Sequence, residues 1–310
     1  MATLAAIWRR SIDFIKLGRF LFLSGGFVFY GLGVAIAAYT GASIDWVTYA
    51  WGQVIVTLTQ LMVHYSNDYF DLEADKANAT PTRWSGGSRI LPDGELSPRV
   101  ALIAALGLLA AALLATAGLA LVLQPGMLSI GVLLLAIGLS WFYSAPPIRL
   151  HSQGIGELSA ALVLSILTPL AGFSLQSLSL DIILLGAVFP ICFLQFNMLV
   201  GVALPDMEGD AQVGKKTLLV IVGRQKMRRA YLAAICLAYV ALVLSVLLFE
   251  LPFLVGLAGG LTLPYALLVS WLIMHGAWYE PRRWDKLAFH SIALLMSMGV
   301  LQLAAFLILI

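Results

Sequence analysis

Charge is what this sequence has least of. Asp, Glu, Lys and Arg make up 11% of its 310 residues, while 61% are apolar. A soluble domain carries about 25% charged residues, because water must wet its surface. A chain so poor in charge cannot coat itself for water, and its solvent is lipid. Cysteine is almost absent as well. Cys192 and Cys236 lie inside apolar runs, which excludes a disulfide framework or a metal-ligand spacing and leaves core packing as the expectation. Residues 1–19 lack the unbroken apolar core of a cleaved leader, since Arg9, Arg10, Asp13, Lys16 and Arg19 interrupt them. They read as a short basic segment at the membrane surface. The long apolar runs also lack strand-like alternation, which excludes a barrel and requires helices.

What is present is a series of such runs. A bilayer core of about 30 Å needs roughly 20 apolar residues per helix. Nine stretches suit that length: 20–40, 46–66, 99–123, 126–143, 157–175, 181–204, 230–250, 253–275 and 287–310. The expected fold class is therefore all-α, a polytopic membrane protein of nine transmembrane helices. Very short connections alternate with longer ones at 67–98, 144–156, 205–229 and 276–286. All 18 basic residues lie before the first span or in and beside those longer loops, and the short loops carry none. The positive-inside bias then places the N-terminus and the long loops in the cytoplasm and the C-terminus outside, in a multi-pass protein of the cell (inner) membrane.

Two acidic constellations stand in those loops. The first runs Asn67-Asp68-Tyr69-Phe70-Asp71-Leu72-Glu73-Ala74-Asp75. At about 100° per residue, Asn67, Asp71, Asp75 and Asp68 fall near 0°, 40°, 80° and 100° on a helical wheel, and Glu73 near 240°. Four polar groups thus share a face that Glu73 does not. The second is Asp206-Met207-Glu208-Gly209-Asp210, where Asp206 and Asp210 lie one turn apart and Glu208 projects away. Together the two hold seven of the 16 acidic residues. Crowded carboxylates repel and are costly to desolvate, so a compensating positive charge is expected. Hard divalent cations take oxygen ligands, and Mg²⁺ is typically held by one or two carboxylates plus substrate phosphates. Two opposed aspartate faces suit a diphosphate clamped through Mg²⁺. Two solvated helix ends are the competing reading.

Arg83, Arg89, Arg149, Lys215 and Lys216 lie in the same loops, where they can meet phosphate oxygens or anchor the membrane surface. Arg89, in Gly86-Gly87-Ser88-Arg89, and Lys215 are the stronger substrate candidates, because each lies near an aspartate motif. His64, one turn before Asp68, reads as a structural histidine. Trp84, Trp141, Trp278 and Trp284 fall near span ends, where interfacial anchoring is the ordinary explanation. Gln195 and Asn197, deeper in span six, either line a cavity or bond a neighbouring helix.

The Asn-Asp-x-x-Asp-x-x-x-Asp run of Asn67 to Asp75 resembles the first motif of the UbiA superfamily of intramembrane prenyltransferases. Asp206 to Asp210, continuing Ala211-Gln212-Val213-Gly214-Lys215-Lys216-Thr217-Leu218, resembles the second. The resemblance covers nearly the whole chain. It implies a single transmembrane prenyltransferase domain over 1–310: a helical bundle around a central cavity, under cytoplasmic cap loops. Asp71, Asp75, Asp206 and Asp210 would form the catalytic centre. Asn67, Asp71 and Asp75 would serve one Mg²⁺ and Asp206 and Asp210 another, with Asp68 in support. Arg19 matches an arginine usual at the start of span one, so Arg19, Arg89, Tyr143, Arg149 and Lys215 are the substrate-binding candidates. Two features depart from the family pattern. Tyr143 is followed by Ser144-Ala145-Pro146-Pro147-Ile148-Arg149, which moves the usual base by two residues and looks more like the chlorophyll synthase branch. No asparagine stands just before Asp206.

The implied reaction joins a polyprenyl diphosphate and an aromatic small-molecule acceptor within the lipid bilayer; no nucleic acid partner is expected. Metal and basic residues stabilise the departing diphosphate, and a dry cavity protects the allylic cation. The acceptor then attacks it. Gly86-Gly87-Ser88-Arg89-Ile90-Leu91, Gly94-Glu95-Leu96-Ser97-Pro98 and Gly154-Ile155-Gly156-Glu157-Leu158 resemble the 1,4-dihydroxy-2-naphthoate polyprenyltransferase branch, which points to menaquinone biosynthesis. Chlorophyll synthase-like and 4-hydroxybenzoate-type activities are the alternatives. A transporter is the rival from another class, but its sites tend to lie near the midplane, whereas these acids gather at helix ends on one side.

Overall fold

A computed structural model describes residues 2–310, with side chains from Trp8 onward. Its helices are α1 (Ala2–Leu17), α2 (Leu23–Tyr39), α3 (Trp46–Phe70), α4 (Leu72–Ala77), α5 (Pro98–Val122), α6 (Met127–Ser144), α7 (Gly156–Ala161) and α8 (Thr168–Ser174). They continue as α9 (Ile182–Ala203), α10 (Met207–Gln212), α11 (Leu218–Val222), α12 (Arg224–Leu248), α13 (Phe253–Gly260), α14 (Leu263–Leu272) and α15 (Pro281–Leu309). Helix starts follow local chemistry. Asp45 caps α3 by accepting from the N–H groups of Val47 (2.8 Å) and Thr48 (3.2 Å). Asp181 caps α9 through Ile183 at 2.9 Å, and Pro98 and Pro281 occupy the first turns of α5 and α15.

Eight segments among the described residues are long and apolar enough to cross a membrane, where the sequence reading expects nine. The difference is α3. It has 25 residues, but Gln53, Thr57, Thr59, Gln60, His64, Asn67 and Asp68 dilute its apolar character. Several of these face an internal cavity, which is the physical reason for its low hydropathy. The fifth expected span is also less regular than read. A π-helical turn, Leu162–Leu167, joins α7 to α8.

Two of the three hydrophobic clusters among the described residues hold most of the bundle. One packs α2, α9, α12 and α15 around residues such as Phe29, Ile191, Tyr231 and Met298. The other packs α3, α5, α6 and α8 around Ile55, Ala112, Leu133 and Ala171. Helices α2 and α8 cross at backbone contact: a side chain at Gly33 would strike the Pro169 carbonyl, and one at Gly172 the Tyr30 carbonyl. Small residues permit this approach, which strengthens packing where the hydrophobic effect gives helices no mutual attraction.

The alternation of loop charge has a structural counterpart. The long loops meet at one end, where Thr80 Oγ1 donates to the Pro205 carbonyl at 3.2 Å, Arg83 N–H donates to Asp285 at 3.0 Å, and Gln153 pairs with Lys216. The short loops meet at the other, where the Asp45 N–H donates to Gln176 at 2.8 Å and Ser129 to the Ser174 carbonyl at 2.7 Å.

Two expectations are corrected. Trp84, Trp278 and Trp284 are buried rather than belted around the surface. Trp278 donates its indole N–H to the Arg224 carbonyl and Trp284 to the Trp278 carbonyl, so they fasten loops to the core. Cys236 is exposed and Cys192 half-buried. In a bundle with lipid on its outside, apolar sequence surroundings do not distinguish core from lipid face.

Candidate active site

A cavity of about 320 Å³ opens between the turn that precedes α2 (Arg19 and Phe22), α3, α6, α7–α8 and α9. Helix α3 sets its polarity. Its lining residues step through Ile55, Thr59, Val63, Asn67 and Asp71, close to one turn each. At 1.5 Å per residue the wall changes from hydrocarbon to carboxylate over roughly 24 Å. Leu133, Leu164, Leu167 and Ala171 extend the apolar part, and Gln60 and Gln195 stand between.

The first motif is not one continuous helix. Helix α3 ends at Phe70, and Asp71, at φ −96° and ψ 4°, is both its C-terminal cap residue and the residue preceding α4. Asn67, Asp71 and Asp75 nevertheless line the cavity together. Asp68 is set apart, accepting from Arg19 at 2.5 Å, from the Ser88 N–H at 3.1 Å and from the Ser88 hydroxyl.

Asp71 is the hub. One oxygen meets His151 Nε2 at 2.5 Å; the other accepts from Lys215 Nζ at 2.8 Å and Asn67 Nδ2 at 2.7 Å. Asn67 also donates to Ser144 at 3.0 Å, and Lys215 approaches Asp210 at 3.4 Å. Through Lys215 the two motifs share a cation. They share an amide as well. Asn78, just beyond α4, donates to Asp206 at 2.6 Å and accepts from the Thr80 N–H at 2.8 Å. Gly209 packs against the Asn78 backbone with no room for a side chain. Asp206, which no asparagine precedes, thus has an amide partner three residues beyond the first motif. Asp75 has no such partner: Oδ2 is buried without a hydrogen bond, and the backbone of Gly87, at φ 71°, fits closely against its carboxylate.

Electrostatics follow from these contacts. Burial alone would raise the Asp71 carboxyl, but Lys215 and His151 outweigh it and hold it well below the usual carboxylate range. Burial, followed by the charges of Asp71 and Asp68, pushes Asp75 up to about 8. For Lys215, burial opposes the charge, yet Asp71 and Asp210 keep its ammonium ionised far above neutrality.

Of the sequence candidates, Arg19, Tyr143, Asp206, Asp210 and Lys215 line the cavity with Asn67, Asp71 and Asp75, while Asp68, Arg89 and Arg149 lie outside the lining. Arg89 donates to the Asp75 carbonyl at 2.6 Å and pairs with Asp93 at 3.3 Å, bracing the loop after α4. Arg19, Arg89 and Arg149 all adopt left-handed backbone, with φ of 44°, 65° and 51°, strain that surrounding contacts must sustain. Glu73 and Glu208 face outward, paired with Lys76 and Arg224. His64 lines the cavity with Nδ1 2.6 Å from the Gly18 carbonyl. Sequence reasoning missed His151, Asn78, Ser88 and Glu157. Ser88 and Glu157 stood within strings read as branch-like but were given no role of their own, Asn78 had a local signal as a polar residue three positions beyond Asp75, and His151 had none.

The profile of the UbiA prenyltransferase family matches residues 27–302. A 1,4-dihydroxy-2-naphthoate octaprenyltransferase of Mycobacterium tuberculosis is 28% identical over 66% of this chain and 68% of its own length. A digeranylgeranylglyceryl phosphate synthase of Thermococcus gammatolerans is 30% identical over 78% of each chain. In three dimensions, a UbiA homologue from Archaeoglobus fulgidus bound to DMAPP and Mg²⁺ superposes with a TM-score of 0.63 at 17% identity, over 93% of this chain and 98% of that one. The bundle, the cavity and the family profile agree: this chain belongs to the UbiA prenyltransferase family.

Proposed function

We propose that this chain transfers a polyprenyl group from a polyprenyl diphosphate to an aromatic acceptor, 1,4-dihydroxy-2-naphthoate, with Mg²⁺ as the metal. The observation that carries the reading is the convergence of both aspartate motifs, Arg19 and Lys215 on one end of a cavity whose other end is apolar. Such a chamber suits an amphiphile with an anionic head and a hydrocarbon tail. The acceptor assignment is supported by the loop from Gly86 to Pro98, by Gly154–Leu158, and by the similarity to the mycobacterial naphthoate enzyme. Loop charge supports a cytoplasmic N-terminus in the cell membrane.

The donor set fits a hard divalent cation. Its groups are oxygens, and Asp75 Oδ2 is buried and uncommitted. Asn67, Asp71 and Asp75 would hold one ion and Asp206 and Asp210 the other. When bound, the metal neutralises charge on the departing diphosphate. Lys215 and Arg19 meet the remaining phosphate oxygens. Asp68 orients Arg19, and the leucine-rich wall keeps water from the allylic carbon as it becomes cationic.

A second reading, with a prenylated glycerol phosphate as acceptor, is favoured by the similarity to the archaeal synthase. The test incubates purified protein in lipid nanodiscs with a polyprenyl diphosphate, Mg²⁺ and separate acceptors: 1,4-dihydroxy-2-naphthoate, 4-hydroxybenzoate, a chlorophyllide and geranylgeranylglyceryl phosphate. Prenylated naphthoate with released diphosphate is expected. Product from another acceptor alone moves the assignment, and no product with any acceptor overturns prenyl transfer.

A further inference from the structure

The proposed chemistry leaves one buried acid unused. Glu157, in the first turn of α7, belongs to neither motif. It is 5% exposed and lines the cavity. The peptide N–H groups of Glu157 and Leu218 support its carboxylate, while Oε2 is buried with no partner. Ser159 Oγ, two residues on, is likewise buried, unpartnered and in the lining. The charged and titratable groups around Glu157 are Lys215 and Asp210, Tyr143, and His151, whose backbone packs on Gly156.

A buried carboxylate oxygen without a donor is expensive. Asp68 and Asp71 have both oxygens engaged, and Asp206 and Asp210 each have a named donor or cation. Asp75 has an orphan oxygen too, but it sits within the first motif. Glu157 is therefore the acid in the lining that stands outside both motifs and still offers an acceptor. An unpartnered acceptor oxygen in the lining favours a hydroxyl donor.

Resting on the prenyl-transfer reading, we propose that Glu157 Oε2 accepts a hydrogen bond from a ring hydroxyl of the acceptor and takes that proton during carbon–carbon bond formation. The allylic C–O bond breaks with its electron pair leaving on the diphosphate. A ring π pair forms the new C–C bond to the allylic carbon. The O–H pair becomes the second bond of a ring carbonyl, and the proton passes to Glu157. Loss of a ring proton or of carbon dioxide then restores aromaticity. The acceptor class this selects is a hydroxylated arene, with Ser159 available to a second polar substituent.

Glu157→Gln keeps the side chain's shape and an acceptor toward the Leu218 N–H but cannot take a proton. With farnesyl diphosphate, Mg²⁺ and 1,4-dihydroxy-2-naphthoate, kcat should fall about 100-fold or more, the range of a positioned general base. The KM for farnesyl diphosphate should stay within about twofold, and Glu157→Asp should regain part of the rate. The deficit should shrink with electron-poor hydroxyarenes that ionise unaided, a dependence a merely structural role would not produce. Unchanged kcat, an equal loss with every acceptor, or weakened diphosphate and Mg²⁺ binding in place of the kcat effect would each overturn the assignment. If wild-type protein prenylates no acceptor at all, the prenyl-transfer reading itself fails, an outcome distinct from an active wild type with an indifferent Glu157→Gln variant.

Discussion

The two acidic motifs face one cavity but are held in opposite ways. In the first, Asp71 engages His151, Lys215 and Asn67, and Asp68 engages Arg19 and Ser88. In the second, Asp206 has a neutral amide, Asn78, and Asp210 only a longer approach from Lys215. Asp75 apart, the first motif is thus a charge-compensated framework, and the two motifs are tied together by Asn78, just beyond the first, and Lys215, in the segment that continues the second. Both motifs should be needed for turnover, whereas stability should depend mainly on the first.

The largest effect should separate these two demands. Asp71→Ala removes the hub and leaves Lys215, 13% exposed at its side chain, with only Asp210. Turnover should vanish, and unfolding free energy should drop by about 3 kcal/mol, as when a buried ion pair loses one member. Asp206→Ala should abolish turnover equally while costing about 1 kcal/mol, since one amide bond is lost. Thermal unfolding beside product formation checks both; equal destabilisation would erase the proposed asymmetry. Next, Asn78→Ala should untie the second motif from α4. It should cost about 1–2 kcal/mol, since its bonds to Asp206 and to the Thr80 N–H are both lost, and raise the Mg²⁺ concentration needed for half-maximal rate, with kcat less affected.

A pH experiment sharpens the contrast. The Asp75 carboxyl is raised to about 8 in the folded protein, against about 3.9 when unfolded. Between those values the folded state binds more protons than the unfolded one, so this group's contribution to metal-free stability falls as pH rises through the window. Divalent metal binding should expel that proton. Calorimetry in buffers of different ionisation enthalpy should show proton release on Mg²⁺ addition at neutral pH, with apparent affinity rising until pH passes about 8. The smallest effects belong to Glu73→Ala and Glu208→Ala. Their side chains are 76% and 73% exposed in surface pairs, and each change should stay within about 0.5 kcal/mol with activity nearly intact.

Much of this arrangement is legible in one dimension. Apolar runs and alternating loop charge mark the spans and bring the long loops to one end. The spacing of Asn67, Asp71 and Asp75, and of Asp206 and Asp210, marks the acids that line the cavity. The failures in burial share one cause. Trp84, Trp278 and Trp284 are buried and Cys236 is exposed, because in lipid both the interior and the outer surface are apolar. Helix α3 falls short as a span by composition because its inner face serves the cavity. The contacts of Arg89 with the Asp75 carbonyl and Asp93 were not legible either, since proximity along a chain does not set the direction of a side chain that leaves a left-handed residue.

What the sequence determined alone is whatever depends on periodicity and local composition: helices, their sidedness in charge, and which carboxylates share a turn. What only the tertiary structure decided is who answers those charges. His151 lies 80 residues from Asp71, Lys215 lies 144 away, and Asn78 lies 128 from Asp206. No local pattern encodes such partnerships, because hydrogen bonds and Coulomb forces depend on distance in space, and only the packed bundle brings those groups within 3 Å.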